Sequence, residues 1–158
     1  MATSLKNLSD YNPATIKSGK GKKFGVVVAE WNEHITFELM KGCNQTLVQH
    51  GVDEEDILIS FMPGAFELPF AAKALAQRNH LAGVICIGCV IEGETKHNEY
   101  INMSVAQALQ DLNLKFDIPF IFGVLTPNDE QQALDRAGGK YGNKGVEAAV
   151  TALKMSSI

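Results

Sequence analysis

The sequence predicts an α/β protein, a three-layer α/β/α sandwich on a four-stranded parallel sheet. Two observations carry this. Four short apolar runs, at 24–31, 57–62, 83–91 and 120–125, are continuous rather than alternating, the pattern of strands buried on both faces. Between them lie segments whose apolar residues recur at helical spacing. Strand alternating with helix calls for crossovers that lay helices on both faces of a parallel sheet.

Residues 1–22 are polar and contain Pro13, Gly19 and Gly21. They are expected to form an arm outside the core, ordered by a partner surface and able to add a strand to a neighbouring subunit. Residues 23–158 then form a single domain. "FGVVVAEW" (24–31) is the first strand, and Ile35, Leu39, Met40, Cys43 and Leu47 make the stripe of a helix over 34–50. "ILISFM" (57–62) is the second strand. A helix over 67–79 follows, with Leu68, Ala71, Ala72, Leu75 and Ala76 on one side. "GVICIGCVI" (83–91) is the third strand. Its helix, 97–113, carries Ile101, Val105, Ala108, Leu109 and Leu112. "FIFGVL" (120–125) is the fourth. Thr126 then reads as a helix N-cap, Pro127 as the first helical residue and Gly138–Gly139 as the stop. A last helix runs from about 143 to 155, with Val146, Ala149, Val150 and Leu153 on its stripe.

Bulk properties narrow the function classes. A net charge of −4 supplies no basic field for nucleic acid. The run "KSGKGKK" (17–23) reads as a soluble tail with a solvated patch, with phosphate binding as the alternative. No apolar stretch reaches the roughly 18 residues that span a bilayer, and "MATSLKNLSD" has no apolar core of a signal peptide, so the expected location is the cytoplasm, with no membrane partner. Three cysteines give no disulfide framework. Cys86 and Cys89 match C-x-x-C inside a strand, where residues three apart face opposite ways, so neither a redox pair nor zinc is expected. The histidines at 34, 50, 80 and 97 lack ligand spacing, and no Gly-rich dinucleotide or P-loop motif is present. No metal is expected.

Ligands of such sheets bind beyond the carboxyl ends of the strands. The exits are "EWNE" (30–33), "PGAFE" (63–67), "EGETKH" (92–97) and "TPND" (126–129). Thr95 is either a cap or, with the Gly-Glu-Thr turn, part of an anion site at a helix start. His97 stands one turn before Ile101, at the sheet edge, where a helix N-terminus suits a neutral base. Trp31, Asn32, Phe66 and Glu67 at neighbouring exits make an apolar slot with a polar end, although each is individually compatible with core or surface packing. Arg136 and Lys144 sit at the ends of the Gly-rich "AGGKYGNKG" (137–145), as phosphate ligands or as ordinary surface cations.

"PGAFELP" (63–69), "GCVIEGETKHNEYI" (88–101) and "FGVLTPNDEQQALDRAGGKYGNKGVEAA" (122–149) resemble the lumazine synthases of riboflavin biosynthesis, with matching order and spacing from about Phe24 to Met155. The resemblance implies a flavodoxin-like sandwich. It also implies condensation of 5-amino-6-(D-ribitylamino)uracil with 3,4-dihydroxy-2-butanone 4-phosphate, without metal or organic cofactor. By the same resemblance Trp31 stacks on the pyrimidine. Ala65, Phe66, Glu67, Cys89, Val90 and Ile91 line the uracil and ribityl site. Glu94 and Thr95 hold phosphate with Arg136. Phe122 closes the site, Lys144 lies near the ribityl chain and His97 carries the proton. The family's homo-oligomers are pentamers whose sites lie at subunit contacts, with Arg136 and Phe122 supplied by a neighbour. Absence of an insertion in "RAGGKYGNKG" points to the members that assemble twelve pentamers into a sixty-subunit shell. Trp31 stands where Phe is commoner and Cys89 where Thr or Ala is frequent; the Glu94 backbone N–H, not its carboxylate, is expected to face the anion. Two other readings share the architecture: a shell-forming protein without catalysis, and a flavin-binding module. Against the latter, "AEWNEHIT" lacks the cradle that holds a flavin phosphate.

Overall fold

In the computed structural model, which describes residue 7 and residues 9–158, the elements alternate as the apolar pattern requires. They are β1 (Phe24–Ala29), α1 (Glu33–Gln49), β2 (Ile57–Met62), α2 (Leu68–Arg78), β3 (Gly83–Cys89), α3 (His97–Lys115), β4 (Phe120–Leu125), α4 (Glu130–Asp135), β5 (Ala137–Gly139), β6 (Gly142–Asn143) and α5 (Lys144–Met155). The main sheet has order β2-β1-β3-β4 and every pairing is parallel. This is the expected flavodoxin-like three-layer arrangement.

Alternation along the strands divides the core into two. Val26, Val28, Ile85 and Ile87 face α1 and α5, packing on Ile35, Leu39, Ala149 and Leu153. Val27, Ala29, Val84 and Cys86 face α2 and α3, packing on Leu68, Ala72, Val105 and Leu109. Cys86 and Cys89 fall into opposite layers, as period-two geometry demands. Helices α1 and α5 approach so closely that a Cβ on Gly145 would collide with the Leu39 carbonyl. The β2 strand is the exception to two-faced burial. It lies at the sheet edge, and Ile59 and Phe61 are 40% and 44% exposed.

Four local boundaries differ from the sequence reading. The first strand ends at Ala29 rather than Trp31, because Glu30 and Trp31 donate to the carbonyls of Met62 and Pro63 at the neighbouring exit. The third ends at Cys89, and Val90 and Glu92 donate to Leu125 and Pro127. Thr95 is not a cap: α3 begins behind Lys96, with no side-chain cap. Thr126 and Pro127 do not start a helix either. Asp129 caps α4 by accepting from the Gln132 N–H at 2.8 Å, while the Gln132 side chain accepts from the Asn128 N–H at 3.0 Å. This is a variant of the capping box. Gly138 and Gly139 enter the β5–β6 hairpin instead of ending the helix. Positive φ at Gly138 (107°) and Gly142 (87°) explains two of its glycines.

Residues 1–6 and 8 of the expected arm lie outside the described residues. Of the rest, Ile16 packs against the core, the Gly19 N–H donates to the His50 carbonyl at 2.8 Å, and Tyr11 meets the His50 ring at 3.0 Å. Lys22, within the basic run, holds the chain's last turn through Ser156 and Ser157.

Candidate active site

The carboxyl ends of β1, β2 and β3 open on a cleft of about 700 Å³. The β1 exit supplies Trp31 and Asn32. The β2 exit supplies Gly64, Ala65, Phe66 and Glu67, and the β3 exit Cys89, Val90, Ile91, Gly93 and Thr95. The first turns of α3 add His97, Asn98, Tyr100 and Ile101. The parallel sheet is what brings them together: with strands in register, their exits finish at one rim. The short 3₁₀ turn Ala65–Glu67 turns the chain into α2 there.

Polarity in the cleft is graded. Trp31 and Phe66 present rings that are 72% and 61% exposed, an unusual state for large aromatics not covered by their own chain. Cys89 is buried, and its burial pushes the thiol up to about 12, so it stays protonated near neutrality and is no nucleophile. The Asn32 side-chain amide donates to the Cys89 carbonyl at 3.0 Å and so ties the first exit to the third.

A second group lies elsewhere. Phe122 and Lys144 line a groove of about 950 Å³ between α3, α5 and the edge of β4. Arg136, at the C-cap of α4, donates to the Tyr141 carbonyl at 3.0 Å and pairs with Glu147 at 2.7 Å. Glu147 also meets the Lys144 ammonium at 3.5 Å. This carboxylate therefore joins both basic residues singled out in the sequence. Within one chain, Arg136, Lys144 and Phe122 are not among the residues that line the His97 cleft. Glu94 is not either, although it sits between Gly93 and Thr95, which are.

The sequence profile of the 6,7-dimethyl-8-ribityllumazine synthases matches residues 21–158. The chain belongs to the 6,7-dimethyl-8-ribityllumazine synthase family. It is 51% identical to the protein of that name from Parabacteroides distasonis over 155 residues, 98% of this chain and 97% of the relative. It is 49% identical to that of Porphyromonas gingivalis over 158 residues, 100% of this chain and 98% of the relative. Against the Cytophaga hutchinsonii protein it is 49% identical over 155 residues, 98% and 97% of the two chains. Lumazine synthases are transferases of riboflavin biosynthesis, and the chain is a member of that enzyme family.

Of the residues that the lumazine synthase resemblance names, the structure gathers Trp31, Ala65, Phe66, Glu67, Cys89, Val90, Ile91, Thr95 and His97 in one cleft. Asn98 and Tyr100 escaped the sequence reading, although Tyr100 lies three residues after His97 on the same helix. Glu147 escaped it too; its signal was spacing, three residues after Lys144. Among the described residues, no group of three His, Cys, Asp or Glu is placed to hold a metal. No helix of the described chain is long and apolar enough to cross a membrane.

Proposed function

We propose that the cleft binds 5-amino-6-(D-ribitylamino)uracil and 3,4-dihydroxy-2-butanone 4-phosphate side by side and joins them into 6,7-dimethyl-8-ribityllumazine. The convergence of Trp31, Phe66, Glu67, Thr95 and His97 on one rim carries this reading. The Trp31 indole stacks on the pyrimidine. Ala65, Phe66, Glu67 and the backbone of Cys89, Val90 and Ile91 line the uracil and the ribityl chain. The turn through Glu94 and Thr95 offers backbone N–H groups, and Thr95 its free hydroxyl, to the phosphate at the start of α3, where the helix dipole favours an anion. The substrate amine attacks the ketone, and water is lost as the imine forms. Loss of the proton on the neighbouring carbinol carbon expels phosphate, which takes its C–O bond pair, and the enol left behind tautomerises to a ketone. The second amine closes on that new carbonyl with loss of a further water. Both nucleophiles belong to the substrate, so the chain contributes alignment, an anion cradle and proton transfer by His97. No cofactor is required.

Phe122, Arg136 and Lys144 complete the site from a neighbouring copy, which accounts for their separation from His97 within one chain. The assembly is a pentamer, with twelve pentamers closing into a shell, in the cytoplasm, without nucleic-acid or membrane partners. Residues 1–22 act as an arm ahead of the catalytic domain, 23–158, with Tyr11, Ile16 and Gly19 holding its later part on its own chain. Purified protein mixed with both substrates is expected to yield lumazine absorbance and fluorescence above the uncatalysed rate. His97→Ala and Arg136→Ala subunits, dissociated and reassembled together, are expected to recover activity that neither has alone. Assembly with tight riboflavin binding but no lumazine would instead favour the non-catalytic or flavin-binding reading.

A further inference from the structure

We propose that Asn32 is a positioning residue for this condensation, fixing the Trp31 indole against the Cys89–Ile91 backbone across the cleft; the inference rests on the reading of the site given above. Asn32 is the one non-glycine residue among those described with positive φ, at φ 60° and ψ 45°. Asparagine tolerates this left-handed conformation better than most residues, yet the conformation is strained. Asn32 also stands at the N-cap of α1, where its side chain is well suited to accept a helix N–H, and it makes no such bond. Two local preferences are thus set aside at one residue. In exchange, the amide donates to the Cys89 carbonyl at 3.0 Å. Only the nitrogen side of an amide can meet a carbonyl oxygen, so the group's orientation is fixed.

The bond is not needed to join the strands. The β1–β3 ladder already runs from Phe24–Gly83 to Val28–Ile87, and the Asn32 contact lies beyond its end. What it adds is a fixed relation between two cleft walls. One wall is the residue following Trp31. The other is the first of three successive residues that line the cleft. A stacking ring and a backbone edge must hold a planar heterocycle in a single pose if its amine is to meet the ketone, and small misplacements cost rate steeply.

The test uses the assembled full-length protein and two variants. Asn32→Gly keeps the positive φ at no steric cost and deletes the donor. Asn32→Asp keeps a side chain that tolerates this backbone and turns an acceptor toward the Cys89 carbonyl. Trp31 is the chain's single tryptophan, so its emission anisotropy and iodide quenching report its mobility without any ligand. In Asn32→Gly the KM for the aminouracil is expected to rise about tenfold, and further in Asn32→Asp. The KM for the butanone phosphate should stay within about twofold, Trp31 anisotropy should fall, and the melting temperature should stay within a few degrees. An Asn32→Gly protein with parental KM values and parental anisotropy would overturn the proposal. So would activity lost in step with melting temperature in both variants, which would leave Asn32 a stability role alone. If the parent protein makes no lumazine, the functional reading fails instead, and the ligand-free anisotropy still decides the role of Asn32.

Discussion

Replacing Trp31 by alanine separates binding from folding more cleanly than any other single change. Its side chain is 72% exposed in the folded chain, so little apolar burial is lost on truncation. Surface substitutions of this kind move stability by no more than about 0.5 kcal/mol, which for a domain of this size is a melting shift below about 2 °C. Stacking of an aromatic side chain on a nucleobase is worth about 1–3 kcal/mol by alanine substitution. At 1.4 kcal/mol per factor of ten, the aminouracil KM should rise between about 5-fold and about 150-fold. Trp31→Phe keeps a stacking face and should stay below about fivefold. The assay is initial-rate lumazine formation with the butanone phosphate saturating and the aminouracil varied, beside a thermal melt of each variant. An unchanged KM for Trp31→Ala would refute the stacking role. A melting temperature lowered by about 10 °C would refute the claim that the ring is held out for a ligand rather than packed by the fold.

Three further outcomes follow from the same geometry. Thr95→Ala should leave stability within about 0.5 kcal/mol, since Thr95 caps nothing, yet raise the KM of the phosphate substrate about tenfold or more, whereas Asp129→Ala should cost about 1 kcal/mol by removing a real cap; a destabilised Thr95→Ala with normal KM would return Thr95 to a structural role. Gly145→Ala drives a methyl into the Leu39 carbonyl and should lower the melting temperature by about 3–12 °C, the cost of about 1–3 kcal/mol of overpacking, and a parental melt would show that α1 and α5 can part freely. Burial lifts the Cys86 and Cys89 thiols from an ordinary 9.0 to about 12, so both stay protonated in the fold while the unfolded chain ionises above pH 9. Stability should hold below pH 9 and fall as the pH rises from 9 toward 12, more steeply than in a Cys86→Ala, Cys89→Ala variant; equal slopes, measured by denaturant titration at each pH, would contradict this.

Fold class was legible because it depends on period and continuity, which survive without tertiary information. Runs such as "GVICIGC" announce a strand of a parallel sheet before its neighbours are known. The exposure of β2 was not legible: "ILISFM" reads like the other runs, and edge position alone does not decide it, since β4 at the other edge is buried between α3 and α5. The cleft wall was legible at Trp31, Phe66 and His97 because a parallel sheet assigns its exits to one rim before any contact is known. Glu147 was hidden because its partner Arg136 is eleven positions earlier and reaches it only through the β5–β6 hairpin. The contact from Asn32 to Cys89 spans 57 positions and has no local signature.

Side-chain caps are not spread evenly over the five helices. Helices α4 and α5 begin away from the cleft, and both obey the capping rule, through Asp129 and Asn143. Helices α1, α2 and α3 begin at the cleft behind Asn32, Glu67 and Lys96, and none has a side-chain cap. Asn32 spends its amide on the Cys89 carbonyl, while Glu67 and Thr95 line the cleft instead. A sequence optimised only for helix stability would place capping side chains at those starts, worth about 1 kcal/mol each. Three helix starts without side-chain caps thus surround the one cavity where a phosphate-bearing substrate is proposed to sit, and the start of a helix favours an anion. Thr95 is of a residue type that fits a cap, while its place in the fold fits a ligand.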